Sequence, residues 1–436
     1  MATERTQAGV ERSDGSGTWR LRGGTADGIS VRGILDQQLV RSVYQPVVDL
    51  SSLATVGYEA LSRGPAGTAL ESPASLLEAA AADGLTYELD WACRSSAVAG
   101  ALEVGLGDGL ALFVNAEPET FGRPAPEDVR LLMAVAGAEL QVVVEVTERE
   151  IARSPATLLA RTSRIRDAGS RLAVDDVGVD ARSLALLPFV APDVVKLDMS
   201  VVQRHDLGAT ARVATAVQAY AERSGALIVA EGIETDEHLA TALALGAHLR
   251  QGWLFGRPAP LIPLADRPAH GAGFPQVQRR RSALTPFAML SAVRPVRRGT
   301  KDLLLRMSRA IESHAVSDGD AAVIVSTFER AEYFTPATAE RYERLADDAA
   351  LVGALGVGLG ETPAKGVRGG SLWRSEPLAG EWDVCAVGPY FASAFAARDL
   401  GDSGPDGLRR FDYVLTHDRD LVVEATDALL GRLAPT

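Results

Sequence analysis

The chain has 436 residues, enough for two or three domains, and 47% of them are hydrophobic, enough for sizeable cores. A formal net charge of −13 weighs against broad electrostatic contact with nucleic acid or anionic lipid, so neither DNA nor a membrane is an expected partner. No apolar run reaches membrane-spanning length, and two cysteines, Cys93 and Cys385, are too few for a disulfide framework or a structural zinc site; a cytoplasmic protein is expected.

Residues 1–28 are rich in Gly, Ser, Thr and charge, and are expected to form a disordered arm. A short helix over Ile34–Val40 leads into a strand, Val43–Leu50, a turn at Ser51-Ser52, and a returning strand, Val56–Arg63. Helices and strands then alternate. Helical patterns cover Pro73–Ala82, Leu85–Val104, Pro126–Ala138, Pro155–Ala168, Ala209–Ser224 and Asp236–Leu245. Between them run apolar strands that stop at polar residues: Leu110–Asn115, Leu140–Glu145, Leu172–Asp176, Val194–Asp198 and Leu227–Glu231.

Such βα alternation over roughly 230 residues fits a (β/α)8 barrel, in which the C-terminal strand ends meet on one face. That geometry places Glu59, Asn115, Glu145, Asp175, Asp176, Lys196 and Glu231 around one mouth. Residues 264–283 read as a linker, with a solvated Arg279-Arg280-Arg281 triplet. Residues 284–436 read as a second, smaller α/β domain. Its helices are Pro286–Val293, Thr300–His314, Pro336–Ala350 and Leu421–Leu430; its strands are Ala321–Phe328, Leu351–Leu359, Trp382–Gly388 and Phe411–Thr416. Gly356-Val357-Gly358-Leu359-Gly360 is read as a bent strand and turn, Cys385 as a buried apolar residue, and Trp373 and Trp382 as core packing.

The mouth is rich in oxygen donors, which suits hard cations (Mg²⁺, Mn²⁺ or Ca²⁺) better than zinc or copper. Asp175 and Asp176 repel each other and call for a cation; side by side, they could serve one metal each, as in two-metal phosphoryl transfer. Lys196 could orient an attacking water or neutralise developing charge, and Glu231 could be a ligand or a base. Metal-dependent hydrolysis of a phosphoester is the reaction these residues suggest.

The motifs also carry a family resemblance. Tyr44-Gln45-Pro46-Val47-Val48-Asp49, Glu59-Ala60-Leu61 with Arg63, Val114-Asn115, Glu145-Val146-Thr147-Glu148, Asp175-Asp176, Lys196-Leu197-Asp198, Ala230-Glu231-Gly232-Ile233-Glu234 and Gln251-Gly252-Trp253-Leu254-Phe255-Gly256-Arg257-Pro258 resemble, in order and spacing, the EAL-domain cyclic-di-GMP phosphodiesterases. The resemblance implies a modified TIM (β/α)8 barrel with one antiparallel strand over residues 29–263. It implies Mg²⁺ or Mn²⁺, in a two-metal site, on Glu59, Asn115, Glu145, Asp175, Asp176 and Glu231, with Ca²⁺ inhibitory. Lys196, Glu231 and Glu59 would be catalytic, and Gln45, Leu61, Arg63, Asp198, Gln251 and Pro258 would line the substrate site. The substrate would be cyclic-di-GMP, the product linear pGpG, and the assembly a homodimer through the barrel.

One segment departs from the family pattern. After the Asp pair the family has Phe-Gly-Thr-Gly-Tyr-Ser-Ser-Leu, whereas this chain has Val177-Gly178-Val179-Asp180-Ala181-Arg182-Ser183-Leu184. In the family that segment couples metal binding to dimerisation. The departure therefore implies either slow turnover or a cyclic-di-GMP receptor that barely cleaves and signals through its second domain. Residues 284–436 resemble the DICT sensory domain, on Thr285-Pro286-Phe287, Val323-Ile324-Val325-Ser326-Thr327-Phe328 and Trp382-Asp383-Val384-Cys385-Ala386-Val387-Gly388-Pro389. That implies regulation by a small ligand or protein of unknown identity.

Overall fold

The structure is a computed structural model that describes residues 10–12, 19–21, 29–107, 109–117, 120, 123–148, 162, 164–203, 206–262, 274–277, 282–316 and 322–433. The arm at 1–28, the helix expected over Pro155–Ala168, most of the 264–283 linker and the Arg279–Arg281 triplet lie largely or wholly outside the described residues. Within the arm, Val10–Arg12 and Trp19–Leu21 pair as two short antiparallel strands.

Eight strands close a barrel: β1 (Arg41–Asp49), β2 (Thr55–Arg63), β3 (Ala111–Asn115), β4 (Gln141–Thr147), β5 (Arg171–Val177), β6 (Val194–Leu197), β7 (Leu227–Ala230) and β8 (Leu249–Arg250). β1 runs antiparallel to both neighbours, β2 and β8, while the other neighbouring pairs are parallel. The short loop Leu50–Ala54 explains the reversal, because a parallel connection needs a crossover far longer than a tight turn. Tyr44 also exchanges backbone hydrogen bonds with Ala259, at 2.8 and 3.0 Å, which ties the chain end of the barrel to its first strand.

Around the strands lie α1 (Val31–Asp36), α2 (Pro73–Ala82), α3 (Thr86–Glu103), α4 (Glu127–Glu139), the short α5 (Leu187–Val190) and α6 (Met199–Gln203), α7 (Leu207–Ser224) and α8 (Asp236–Ala244). Ser72, Asp206 and Thr235 cap α2, α7 and α8 with side-chain oxygens on backbone N–H groups. The barrel's lower interior is filled by Val47, Val56, Ala111, Phe113, Val143, Ala173, Val194, Val229 and Leu249, a cluster drawn from all eight strands. Phe274, from the stretch expected to be a linker, closes this floor: it is 4% exposed and meets Phe113 edge-on at 5.5 Å. Its backbone N–H donates to Gln141 Oε1 at 3.2 Å, and that of Val277 donates to Asp193 Oδ1 at 2.6 Å.

The second domain is a seven-stranded sheet built from β9 (Arg297–Thr300), β10 (Val323–Arg330), β11 (Leu351–Val357), β12 (Val367–Ser371), β13 (Glu381–Val387), β14 (Ala392–Asp399) and β15 (Arg410–Thr416), in the order β9-β15-β14-β13-β10-β11-β12. One face buries Leu304 and Ile311 of α10 (Lys301–Ala315) with Tyr342 and Leu345 of α11 (Pro336–Asp348). The other face buries α9 (Pro286–Val293) and α12 (Arg419–Leu430). Cys385 is fully buried and Trp382 stacks edge-on with Phe395 and Phe411, at 5.2 and 5.7 Å, as expected of core residues. Trp373 corrects the expectation: it is 78% exposed, lying just past β12, the edge strand of the sheet.

Candidate active site

The site is built by strand ends. Residues opposite one another in the parallel register, such as Asn115 with Glu145, come to the same height. Consecutive strand residues ordinarily point to opposite faces. Asp175 and Asp176 escape that rule because the β5–β6 register shifts between Val174 and Val177, and Asp176 takes a left-handed φ of 59°. A bulge of this kind re-aims side chains. Here it lets oxygens of Asp175, Asp176 and Glu231 lie within 4.8 Å of one another. Oxygens of Glu59, Glu145 and Asp175 form a second such set, so Asp175 is common to both.

Lys196, only 1% exposed, points up β6 into the middle of these acids. Its Nζ lies 2.7 Å from Glu145 Oε1, 2.7 Å from Glu231 Oε1, 3.1 Å from Asp175 Oδ1 and 3.5 Å from Glu59 Oε2. Burial alone would pull this ammonium's pKa down, but Asp175, Glu145, Glu231 and Glu59 together push it well above its usual value. Burial raises the Glu145 carboxyl well above the carboxylate range, with Lys196 opposing. Burial, then the charge of Asp175, raises Glu231 to about 8. The sequence suggested a cation for the Asp pair, and Arg182 is the first base that follows it. Arg182 instead pairs with Asp180 at 2.9 Å, and Lys196 is the counter-charge.

The oxygen donors fit divalent cations. Among the described residues Glu145 Oε2 has no hydrogen-bond partner, and Glu145 Oε1 and Asp175 Oδ1 face the Lys196 ammonium, so buried oxygen lone pairs line the centre. Asn115 Nδ2 donates to Glu59 Oε1 at 3.4 Å, and Gln251 Nε2 donates to Glu59 Oε2 and, at 3.1 Å, to Gln45 Oε1. Gln45 in turn donates to the Gly256 carbonyl at 3.0 Å. Gly252 permits this arrangement, since a Cβ there would sit 2.1 Å from the Ile233 carbonyl oxygen.

The structure thus brings together Glu59, Asn115, Glu145, Asp175, Asp176, Lys196, Glu231, Gln45 and Gln251. Among the described residues, Leu61, Arg63, Asp198 and Pro258 have no hydrogen bond or ion pair to this ring. Arg63 donates to the Ser62 carbonyl at 2.8 Å, and Asp198 accepts from the Ser200 N–H at 2.9 Å. Glu148 has no assigned role at the level of sequence, although it sits in the Glu145-Val146-Thr147-Glu148 motif. It is fully buried and accepts from Gly178 N–H at 3.0 Å, Ser183 Oγ at 2.7 Å and Asp180 N–H, fastening the segment after the Asp pair.

Comparison with known proteins follows the same division of the chain. The EAL domain family model matches residues 30–258, more than half of the chain. The model of the "sensory domain in diguanylate cyclases and two-component system", DICT, matches residues 285–400. Cyclic di-GMP phosphodiesterase RocR of Pseudomonas aeruginosa is 31% identical over 235 residues, 53% of this chain and 60% of that protein. The probable cyclic di-GMP phosphodiesterase PdeB of Escherichia coli is 31% identical over 227 residues, 50% of this chain and 42% of that protein. The chain therefore spans less than two thirds of either relative. Among solved structures, a manganese/cy-diGMP complex of Klebsiella pneumoniae BlrP1 is 31% identical, with a TM-score of 0.45, over 51% of this chain and 56% of that one. No helix among the described residues is long and apolar enough to cross a membrane.

Proposed function

Because this chain belongs to the EAL-domain family, with a DICT domain after the barrel, we propose that it hydrolyses cyclic-di-GMP to linear pGpG with Mg²⁺ or Mn²⁺. The observation that carries this reading is the pair of three-carboxylate sets that share Asp175 around Lys196. Glu59, Asn115, Glu145, Asp175, Asp176 and Glu231 would hold the cations. When bound, these supply positive charge that lets an anionic diester enter an acidic mouth and that stabilises charge on the attacking and leaving oxygens. Lys196 keeps an ammonium fixed at the centre and orients the attacking water. Gln251 and Gln45 brace Glu59, so its carboxylate does not rotate away. Arg63, Leu61, Asp198 and Pro258 border the ligand further out. The DICT domain sets the rate, and the barrel pairs with a second copy; a monomeric mass in solution scattering at high concentration would count against pairing.

A second reading has its own observation in favour: Val177 and Val179–Arg182 depart from the family pattern directly after the Asp pair, and Gly178, Ser183 and Leu184 keep it. Under that reading the barrel binds cyclic-di-GMP and barely cleaves it. The two are separated by incubating the full chain with cyclic-di-GMP and Mn²⁺ and measuring pGpG. Release that disappears in Glu59→Gln supports hydrolysis. Tight binding by calorimetry without release supports the receptor.

A further inference from the structure

Between the two domains lies a cleft of about 360 Å³. Its barrel wall is α7, through Ala216, Ala219, Tyr220 and Arg223, together with Leu184 and Pro188 from the stretch that follows Asp176. Its other wall is α12, through Arg419, Asp420, Val423, Glu424 and Asp427. Among the described residues, Arg223 and Arg419 pair with no carboxylate, and Asp420 and Glu424 pair with no base. Among the described residues the Arg419 guanidinium makes one hydrogen bond, a long one of 3.4 Å to the Phe391 carbonyl. Burial and the neighbouring Arg223 lower its pKa to about 10. Charges of both signs thus face a shared space and do not collapse onto one another. A ligand carrying only negative charge would meet Asp420 and Glu424, and one carrying only positive charge would meet the two guanidiniums. A zwitterion satisfies both ends, and the volume is near the lower end of the range for small-molecule sites.

The same elements touch the active site. A Cβ on Gly178 would meet Val213 of α7 at 3.1 Å, so α7 packs beneath the segment that carries the Asp pair. Leu184 and Pro188 continue that segment into the cleft wall. On the far side, Tyr390 Oη donates to the Arg212 carbonyl of α7 at 3.2 Å, which joins the second domain to the same helix.

We propose that this cleft binds a small zwitterion of the α-amino-acid class, its carboxylate on Arg223 and Arg419 and its ammonium on Glu424 and Asp420, and that occupancy restrains the segment after Asp176. The regulatory part rests on the reading of the barrel as a metal site; the binding part does not. The test uses the full chain without cyclic-di-GMP. Thermal unfolding and calorimetry are run with each of the common α-amino acids and with succinate, putrescine and inorganic phosphate as probes that carry one sign of charge. At least one amino acid binds and the one-sign probes do not; Arg419→Gln and Glu424→Gln each weaken binding about tenfold or more, as does Ala219→Leu, which fills the cleft. The bound amino acid also changes Mn²⁺ affinity at least about threefold. Absence of amino-acid binding, equal binding of succinate or phosphate, or undiminished binding in the variants overturns the site. Unchanged Mn²⁺ affinity overturns the coupling. Amino-acid binding in a protein that releases no pGpG would leave the site standing while removing the hydrolase reading.

Discussion

Replacing Lys196 by Met is the most informative single change. The ammonium sits among four carboxylates at 2.7–3.5 Å, in a place 1% exposed. At an effective dielectric of about 20, each contact represents roughly 5–6 kcal/mol of gross attraction. Desolvation of the ions consumes most of that, and removal of one partner from a buried ion cluster costs about 3–5 kcal/mol net. Met keeps the length and the packing of the stem, so the loss reports the charge. In chelator, Lys196→Met should lower the barrel's unfolding temperature by roughly 10 °C at neutral pH. The loss should shrink in acid, where the acids can take up protons instead. Mn²⁺ should then restore stability, by about 2.7 kcal/mol at a hundredfold excess over its dissociation constant. The assay is thermal unfolding by circular dichroism, with chelator and with Mn²⁺. A variant as stable as the wild type in chelator, or one unmoved by Mn²⁺, would refute the idea that these acids require a central cation.

Three other outcomes follow from named contacts. Phe274→Ala should cost about 3–5 kcal/mol in urea unfolding while leaving Mn²⁺ affinity unchanged, because the ring fills the floor and not the mouth. Gly178→Ala should weaken Mn²⁺ binding about tenfold by calorimetry: φ there is 107° and the new Cβ would lie 2.4 Å from Val201 Cγ2, so the segment after the Asp pair must shift. Asp383, in the second domain, is held well above the carboxylate range by burial and then by Glu381. The folded state thus binds this proton more tightly than the unfolded chain does. Its contribution is fully present below the ordinary carboxylate range and is lost as pH rises through the raised folded value. Asp383→Asn lacks that slope, so its stability relative to wild type should climb as pH rises above the ordinary carboxylate range; parallel curves would contradict the assignment.

The barrel was legible because apolar strand runs end at chemistry-bearing residues, and the closed register converts that phasing into one rim. Asn115 opposite Glu145 is the plainest instance. Less legible was whatever depends on a local exception. The bulge that turns Asp175 and Asp176 the same way leaves no pattern in the hydrophobic period. Glu148 looks like any strand-end acid until its three donors are in place. In the second domain, β14 reads Ala-Ser-Ala-Phe-Ala-Ala-Arg-Asp, an alanine-rich run whose helical propensity hides a central strand. β12, Val-Arg-Gly-Gly-Ser, hides behind its glycines; close backbone approach explains them, since a Cβ on Gly369 would fall 1.9 Å from the Gly360 carbonyl oxygen. Phe274 was obscured by the Pro, Gly and His around it, which read as linker although one aromatic ring closes the floor.

The central claim is that acids from four separate strands hold divalent cations about Asp175. Anomalous diffraction from crystals of the full chain grown with manganese tests it most directly. The account predicts metal peaks bordered by Glu59, Glu145 and Asp175 and by Asp175, Asp176 and Glu231, with the Lys196 ammonium displaced toward the ligand side. Crystals that diffract well and show Lys196 still bound to all four carboxylates, with no peak among them, would contradict it.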